Sequence, residues 1–130
     1  RGRTMSGEQR LADLLDAARL TLRTELQPAL DAEGRYMAAM VGNAMAIAAR
    51  DLAGGAENRQ RQQAALAALY PELGQAALPQ LERRLARELR QGGLAVDREE
   101  QVRAVLLART LARLEIANPD YPATFEFQAA

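Results

Sequence analysis

Residues 36–49 read Tyr-Met-Ala-Ala-Met-Val-Gly-Asn-Ala-Met-Ala-Ile-Ala-Ala, fourteen positions with Asn43 as the one strongly polar side chain. A helix that is apolar all round is ordinarily buried all round. Fourteen residues are too few to cross a bilayer, which takes about twenty. The stretch is therefore expected to form the buried central helix of a soluble bundle. Ala38, Gly42, Ala46 and Ala49 make a ridge of small residues along it, and Met37, Met40, Val41 and Ile47 supply bulk elsewhere. Arg50 and Asp51 return the chain to solvent, and Gly54-Gly55 offers a glycine stop.

Outward from this segment the pattern is helical throughout. Ser6 with Gln9 three residues later fits a capping box, and Leu11, Leu14, Leu15, Ala18, Leu22 and Leu26 follow at helical spacing up to Pro28. A third helix is expected over about 57–70, closed by Pro71. A connector over 71–79 contains Pro71, Gly74 and Pro79 and has room for one helical turn. A fourth helix is expected over about 80–91 on Leu81, Leu85 and Leu89, ending at Gly92-Gly93. Asp97 with Glu100 marks the N-cap of a fifth, which carries Val102, Val105, Leu106, Leu111 and Leu114 and ends before Asn118-Pro119. No strand and no internal repeat emerge. The expectation is an all-α, single-domain bundle of about five helices over 6–122, with a flexible arm at 1–5 and a tail at 123–130, which an Asx/Pro turn at Asn118-Pro119-Asp120-Tyr121-Pro122 is expected to pin by packing Tyr121.

Composition restricts the chemistry. The 130 residues include no His, Cys, Lys or Trp and a single serine, Ser6; all seventeen basic residues are Arg, balanced by seventeen acids. General bases near neutral pH are most often His, and nucleophiles are Ser, Cys or Lys backed by a base. Zinc and most transition metals require imidazole or thiolate. No catalytic residue, metal ligand or cofactor site is therefore assigned, and an enzyme is not expected. A carboxylate-only metal site in a bundle would normally add Glu-x-x-His pairs. Adjacent Glu99 and Glu100 fall where carboxylates suit a helix N-terminus. Zero net charge gives no reason to expect nucleic acid, and no apolar run is long enough for a membrane span. The opening residues lead into no apolar run of the signal-peptide kind, so the cytoplasm is expected.

Three stretches carry a family resemblance. They are Pro28-Ala29-Leu30-Asp31, the run 36–47 with Arg50-Asp51-Leu52, and the ending Ala117-Asn118-Pro119-Asp120-Tyr121-Pro122. Together they resemble a family of small, uncharacterised bacterial helical domains, often encoded beside aminoglycoside-phosphotransferase-like kinases and acyl-CoA dehydrogenases. Where that family carries a His and an Arg on the central helix, this chain has Met37 and Ala39. The resemblance implies association with such enzymes and no chemistry of its own.

The residues singled out for ligand or partner contact are Asn43, Met37, Met40, Arg83, Arg87 and Arg90. Asn43 is expected to be buried and to satisfy interrupted backbone outside its helix, or else to read a ligand. The methionines serve as core filler or line a groove. Arg83, Arg87 and Arg90 share a helical face suited to phosphate or to an acidic partner, but Arg84 and Glu88 at i, i+4 suggest a salt-bridged solvated surface. Three functions compete. The first is an interaction module or accessory subunit, acting as a homodimer through positions such as Leu22, Leu107 and Leu111. The second is a binder of a small apolar or acyl-type ligand in an inter-helix cavity with arginines at its mouth. The third is an enzyme built on carboxylates, Tyr and Arg alone.

Overall fold

The computed structural model describes residues 6–121; residues 1–5 and 122–130, and with them the expected arm and tail, lie outside the described residues. Among the described residues the chain is all-α, with helices α1 (Gly7–Thr21), α2 (Ala32–Leu69), α3 (Leu78–Gln91) and α4 (Val96–Ala117) and no strand. It groups into two compact units, residues 1–56 and residues 57–130, which divide within α2.

In the first unit, the Ser6 hydroxyl accepts the Gln9 backbone N–H at 3.1 Å and starts α1. The reciprocal half of the capping box is missing, because the Gln9 amide donates instead to Asp13. The helix expected from the Ser6 cap up to Pro28 is regular only to Thr21. Leu22–Leu26 widens into a π turn and Gln27–Ala29 tightens into a 3-10 turn. Pro28 is the cause: it has no N–H for an i→i−4 bond, and its ring would strike the carbonyl four residues back. Asp31 then caps α2, its carboxylate accepting the Gly34 N–H at 2.8 Å and its carbonyl accepting from Arg35.

Ala38, Gly42, Ala46 and Ala49 are buried, so the small-residue ridge is the inward face of α2. A Cβ at Gly42 would meet Arg19 Cγ and Leu22 Cδ2 of the preceding segment at 3.8 Å, ordinary contact distance. The expectation that 36–49 is buried on every side is overturned. Tyr36 is 68% exposed, Met37 59% and Met40 57%, and Val41 is exposed as well. Small residues let two helices approach closely but cover little surface. The large side chains, at the opposite angular positions of a 3.6-residue helix, face outward.

The second correction concerns Gly54-Gly55. α2 continues through the pair for fourteen further residues, merging the expected second and third helices into one. Glycine weakens a helix by about 1 kcal/mol relative to Ala but keeps its N–H, and the flanking Ala, Glu, Arg and Gln are strong helix formers.

The second unit holds the large-residue core: Leu66, Leu69, Tyr70, Leu81, Leu85 and Val102, drawn from α2, α3 and α4. Pro71–Leu73 forms the expected single turn in the connector. α3 begins at Leu78 with Pro79 in its first turn, and Gly92 and Gly93, at φ 68° and 71°, end it with left-handed backbone that an L side chain resists. Ala95 occupies the N-cap position of α4, and Asp97 lies one residue inside, so the Asp97/Glu100 cap did not form as expected.

Candidate functional site

Met37, Met40 and Asn43 belong to the first unit; Arg83, Arg87 and Arg90 belong to the second. Asn43 is exposed, contrary to its expected burial. At 100° per residue it lies beside Tyr36 and Ile47 on the solvent side of α2, with its amide open to water. Tyr36, Met37, Met40, Val41, Ala44 and Ala48 continue that side, all exposed. Leu11 and Leu14 are exposed on α1. Among the described residues of the first unit, the fully buried apolar side chains are all alanine, namely Ala12, Ala38, Ala46 and Ala49. Leu15, Leu22, Met45, Ile47 and Leu52 are half-buried, and the remaining large apolar side chains named here stand in solvent.

In the second unit Tyr70 is buried where α2 ends, and its hydroxyl donates to the Glu88 carboxylate of α3. Arg98, on the first turn of α4, clamps the same carboxylate through Nε at 2.8 Å and Nη2 at 3.1 Å, and its Nη1 donates to the Leu69 carbonyl at 3.0 Å. The Arg98 guanidinium also lies 5.0 Å from the Tyr70 ring centre, with that of Arg84 at 5.6 Å. The bidentate Arg98 bond, with the Tyr70 hydroxyl second, holds Glu88 down at about 2. Burial, then the bond to Glu88, pushes Tyr70 up to about 12, and the Glu88 bond raises Arg98 further. None of these groups exchanges a proton near neutral pH. The cluster is a structural clasp joining three helices.

That clasp overturns the expected Arg84–Glu88 pair. Arg84 reaches Glu72 at 3.7 Å instead. Glu82, the other acid of α3, accepts from Arg109 Nη2 at 2.5 Å. Arg83, Arg87 and Arg90 are exposed and lie along one line of α3, as their spacing required.

Between the second half of α2 and α4 lies a cavity of about 300 Å³, lined by Asn58, Ala65, Val105, Ala108, Arg109 and Leu111 among others. Its polar wall is Asn58, buried, whose amide donates to the Ala112 carbonyl at 3.0 Å and accepts from Gln62. The Arg109 side chain is only 15% exposed, and its Nη1 is buried without an acceptor. Arg61 and Glu115 pair at 3.7 Å at the rim. Neither Asn58 nor Arg109 was singled out from the sequence. The signal was their phase: Asn58 precedes Gln62, Leu66 and Leu69, and Arg109 follows Val102 and Val105, at spacings that place both on the inward stripes.

Of the residues expected at the interface between copies, Leu107 is exposed, while Leu22 and Leu111 are half-buried. Tyr121 is 44% exposed, and its N–H closes the turn by donating to the Asn118 carbonyl. Among the described residues no cluster of three or more metal-ligating side chains occurs, and no helix is long and apolar enough to cross a membrane.

The chain belongs to a family described as a domain of unknown function, DUF6285, whose match covers residues 28–121. No match is found among curated proteins or among solved structures. The matched span opens at Pro28, where the 3-10 turn and the Asp31 cap set up α2, and closes at the turn after α4. The sequence features that carried the family resemblance are thus the punctuation and inner ridge of the fold.

Proposed function

We propose that this protein works by contact and not by chemistry, as a helical interaction module of the cytoplasm whose partner is a second copy of itself. The observation that carries this reading is the exposure of large apolar side chains in the first unit, Tyr36, Met37, Met40 and Val41 on one side of α2 and Leu11 and Leu14 on α1. Two helices whose fully buried apolar side chains are alanines bury little apolar area, and exposed groups of large apolar residues mark interaction sites. Two such hairpins set face to face make four helices around a shared core, and a two-fold pairing uses one surface twice. The missing His, Cys and Lys support the non-catalytic half of the proposal. Neutral overall charge is consistent with a protein partner and not with nucleic acid. The chain has no cysteine, so one introduced at Ala44, mid-face, reports on the pairing. Under mild oxidation Ala44→Cys should yield a disulfide-linked dimer, and Arg23→Cys should not. Equal cross-linking of the two, or none at Ala44→Cys, would remove the reading.

A second reading is favoured by the cavity between α2 and α4, whose roughly 300 Å³ stands at the lower end of ligand sites. It suits a small apolar or acyl-type molecule, with Arg61 and Arg109 supplying the arginines at its mouth. Saturable binding of a short-chain fatty acid that Ala108→Phe abolishes would support it. The accessory role beside a phosphotransferase-like kinase or an acyl-CoA dehydrogenase, implied by the family resemblance, belongs to the same contact function. Co-purification of either enzyme with wild type but not with Met40→Glu would support that role.

A further inference from the structure

We infer that the outward face of α3 is a docking surface for an acidic helix of a partner protein. Both carboxylates of α3 are turned to other tasks, Glu82 on Arg109 and Glu88 on Arg98 and Tyr70. Arg84 is engaged with Glu72 and the Tyr70 ring. Arg83, Arg87 and Arg90 remain, exposed and without an ion pair, hydrogen bond or ring contact among the described residues.

Their spacing of four and then three residues sets three guanidinia along a line of about 10 Å at 1.5 Å per residue. Like charges at these spacings destabilise a helix, and an ordinary solvated face relieves them with interspersed acids. Here both acids of α3 are held by arginines of α4, so the stripe keeps its full charge. A helix carrying carboxylates at i, i+4 and i+7 presents the same line with the opposite sign, and each guanidinium can take a carboxylate through two N–H groups. Duplex nucleic acid fits less well. Three cations on one short helix neutralise few phosphates, and the chain as a whole has as many acids as arginines.

The inference concerns α3 alone and stands or falls separately from self-association. The test uses the full chain and a labelled, alanine-based peptide of about 20 residues, a length that can hold helix. Its glutamates repeat at i, i+4, i+7. Comparison probes are a peptide of equal composition with its glutamates spread round the helix, and duplex DNA of about 12 base pairs, all at about 150 mM salt, where distant charges are screened. The striped peptide should bind wild type. It should bind the Arg83→Gln/Arg87→Gln/Arg90→Gln variant about tenfold more weakly, since exposed pairs are individually weak and only their sum registers. The corresponding triple Lys variant should keep most of the affinity, and Met40→Glu should bind as wild type does. Absence of binding, equal binding by the triple Gln variant, equal binding of the dispersed peptide, or preference for DNA would each overturn the inference.

Discussion

Two asparagines show what a single residue reveals from sequence. Asn43 drew attention because it interrupts an apolar run, yet it is exposed. Asn58 sits in a polar stretch and is buried, bonded to the Ala112 carbonyl of α4. Hydropathy along the chain found the exception in composition, whereas burial follows the phase of the helix. Asn58→Leu should therefore cost about 1–3 kcal/mol of unfolding free energy, because the Ala112 carbonyl and the Gln62 amide lose a partner. Asn43→Leu should stay within about 0.5 kcal/mol, as exposed substitutions do. Chemical denaturation of the two variants checks both. The Tyr70–Glu88–Arg98 clasp was legible only as separate residues, since its members are far apart in sequence and meet only when α3 folds back. Glu88→Gln should destabilise by about 2–3 kcal/mol, less than a wholly buried pair because the site is partly open to solvent. Glu88 is depressed from 4.5 to about 2, so its contribution is complete above about pH 4.5 and is lost as pH falls towards 2. Tyr70 is raised from 10.0 to about 12, so its contribution is complete below pH 10 and is lost as pH rises towards 12. Stability–pH profiles of wild type should show both slopes, and Glu88→Gln should lack the acid one.

Two glycine pairs do the same for the elements. Gly54-Gly55 and Gly92-Gly93 are equally good stop signals locally, yet α2 runs through the first and α3 ends at the second. Tertiary demand separates them. The chain must reverse after α3 for Val102 to join Leu81 and Leu85, whereas the helix formers on both sides of Gly54-Gly55 carry α2 straight through the pair. Gly54→Ala should stabilise by about 0.5–1 kcal/mol, since an added Cβ meets nothing within 4 Å and Ala is the better helix former. Gly92→Ala, with φ at 68°, should destabilise by about 1 kcal/mol. Thermal melts of the pair give opposite signs. Helix identity, the Pro28 break, the Pro71 turn and the closing glycines of α3 were readable because each depends on neighbours within a turn. The clasp was not, because it depends on contacts across the fold, and neither was the fate of Gly54-Gly55, whose stop signal the helix formers around it outweigh.

At the scale of the whole molecule, the all-α class followed from composition and period, and the helices of the described residues bear it out. Where the apolar surplus goes did not follow. Periodicity identifies the faces of a helix, and the ridge of Ala38, Gly42, Ala46 and Ala49 was the better guide to the inner one, because close approach selects for small residues. Tyr36, Met37, Met40 and Val41 then stand outward, in a unit whose fully buried apolar side chains are alanines. Charge placed in the centre of that face should block pairing without touching the fold, since Met37 and Met40 are more than half exposed. The most direct measurement is sedimentation equilibrium of wild type and of Met37→Glu/Met40→Glu at micromolar concentration. Wild type should run at about 28 kDa, twice the 14.2 kDa chain, and the variant at about 14 kDa with unchanged helicity by circular dichroism. A wild type that stays at the mass of one chain, or a variant that still pairs, would contradict the proposal that this face joins two copies.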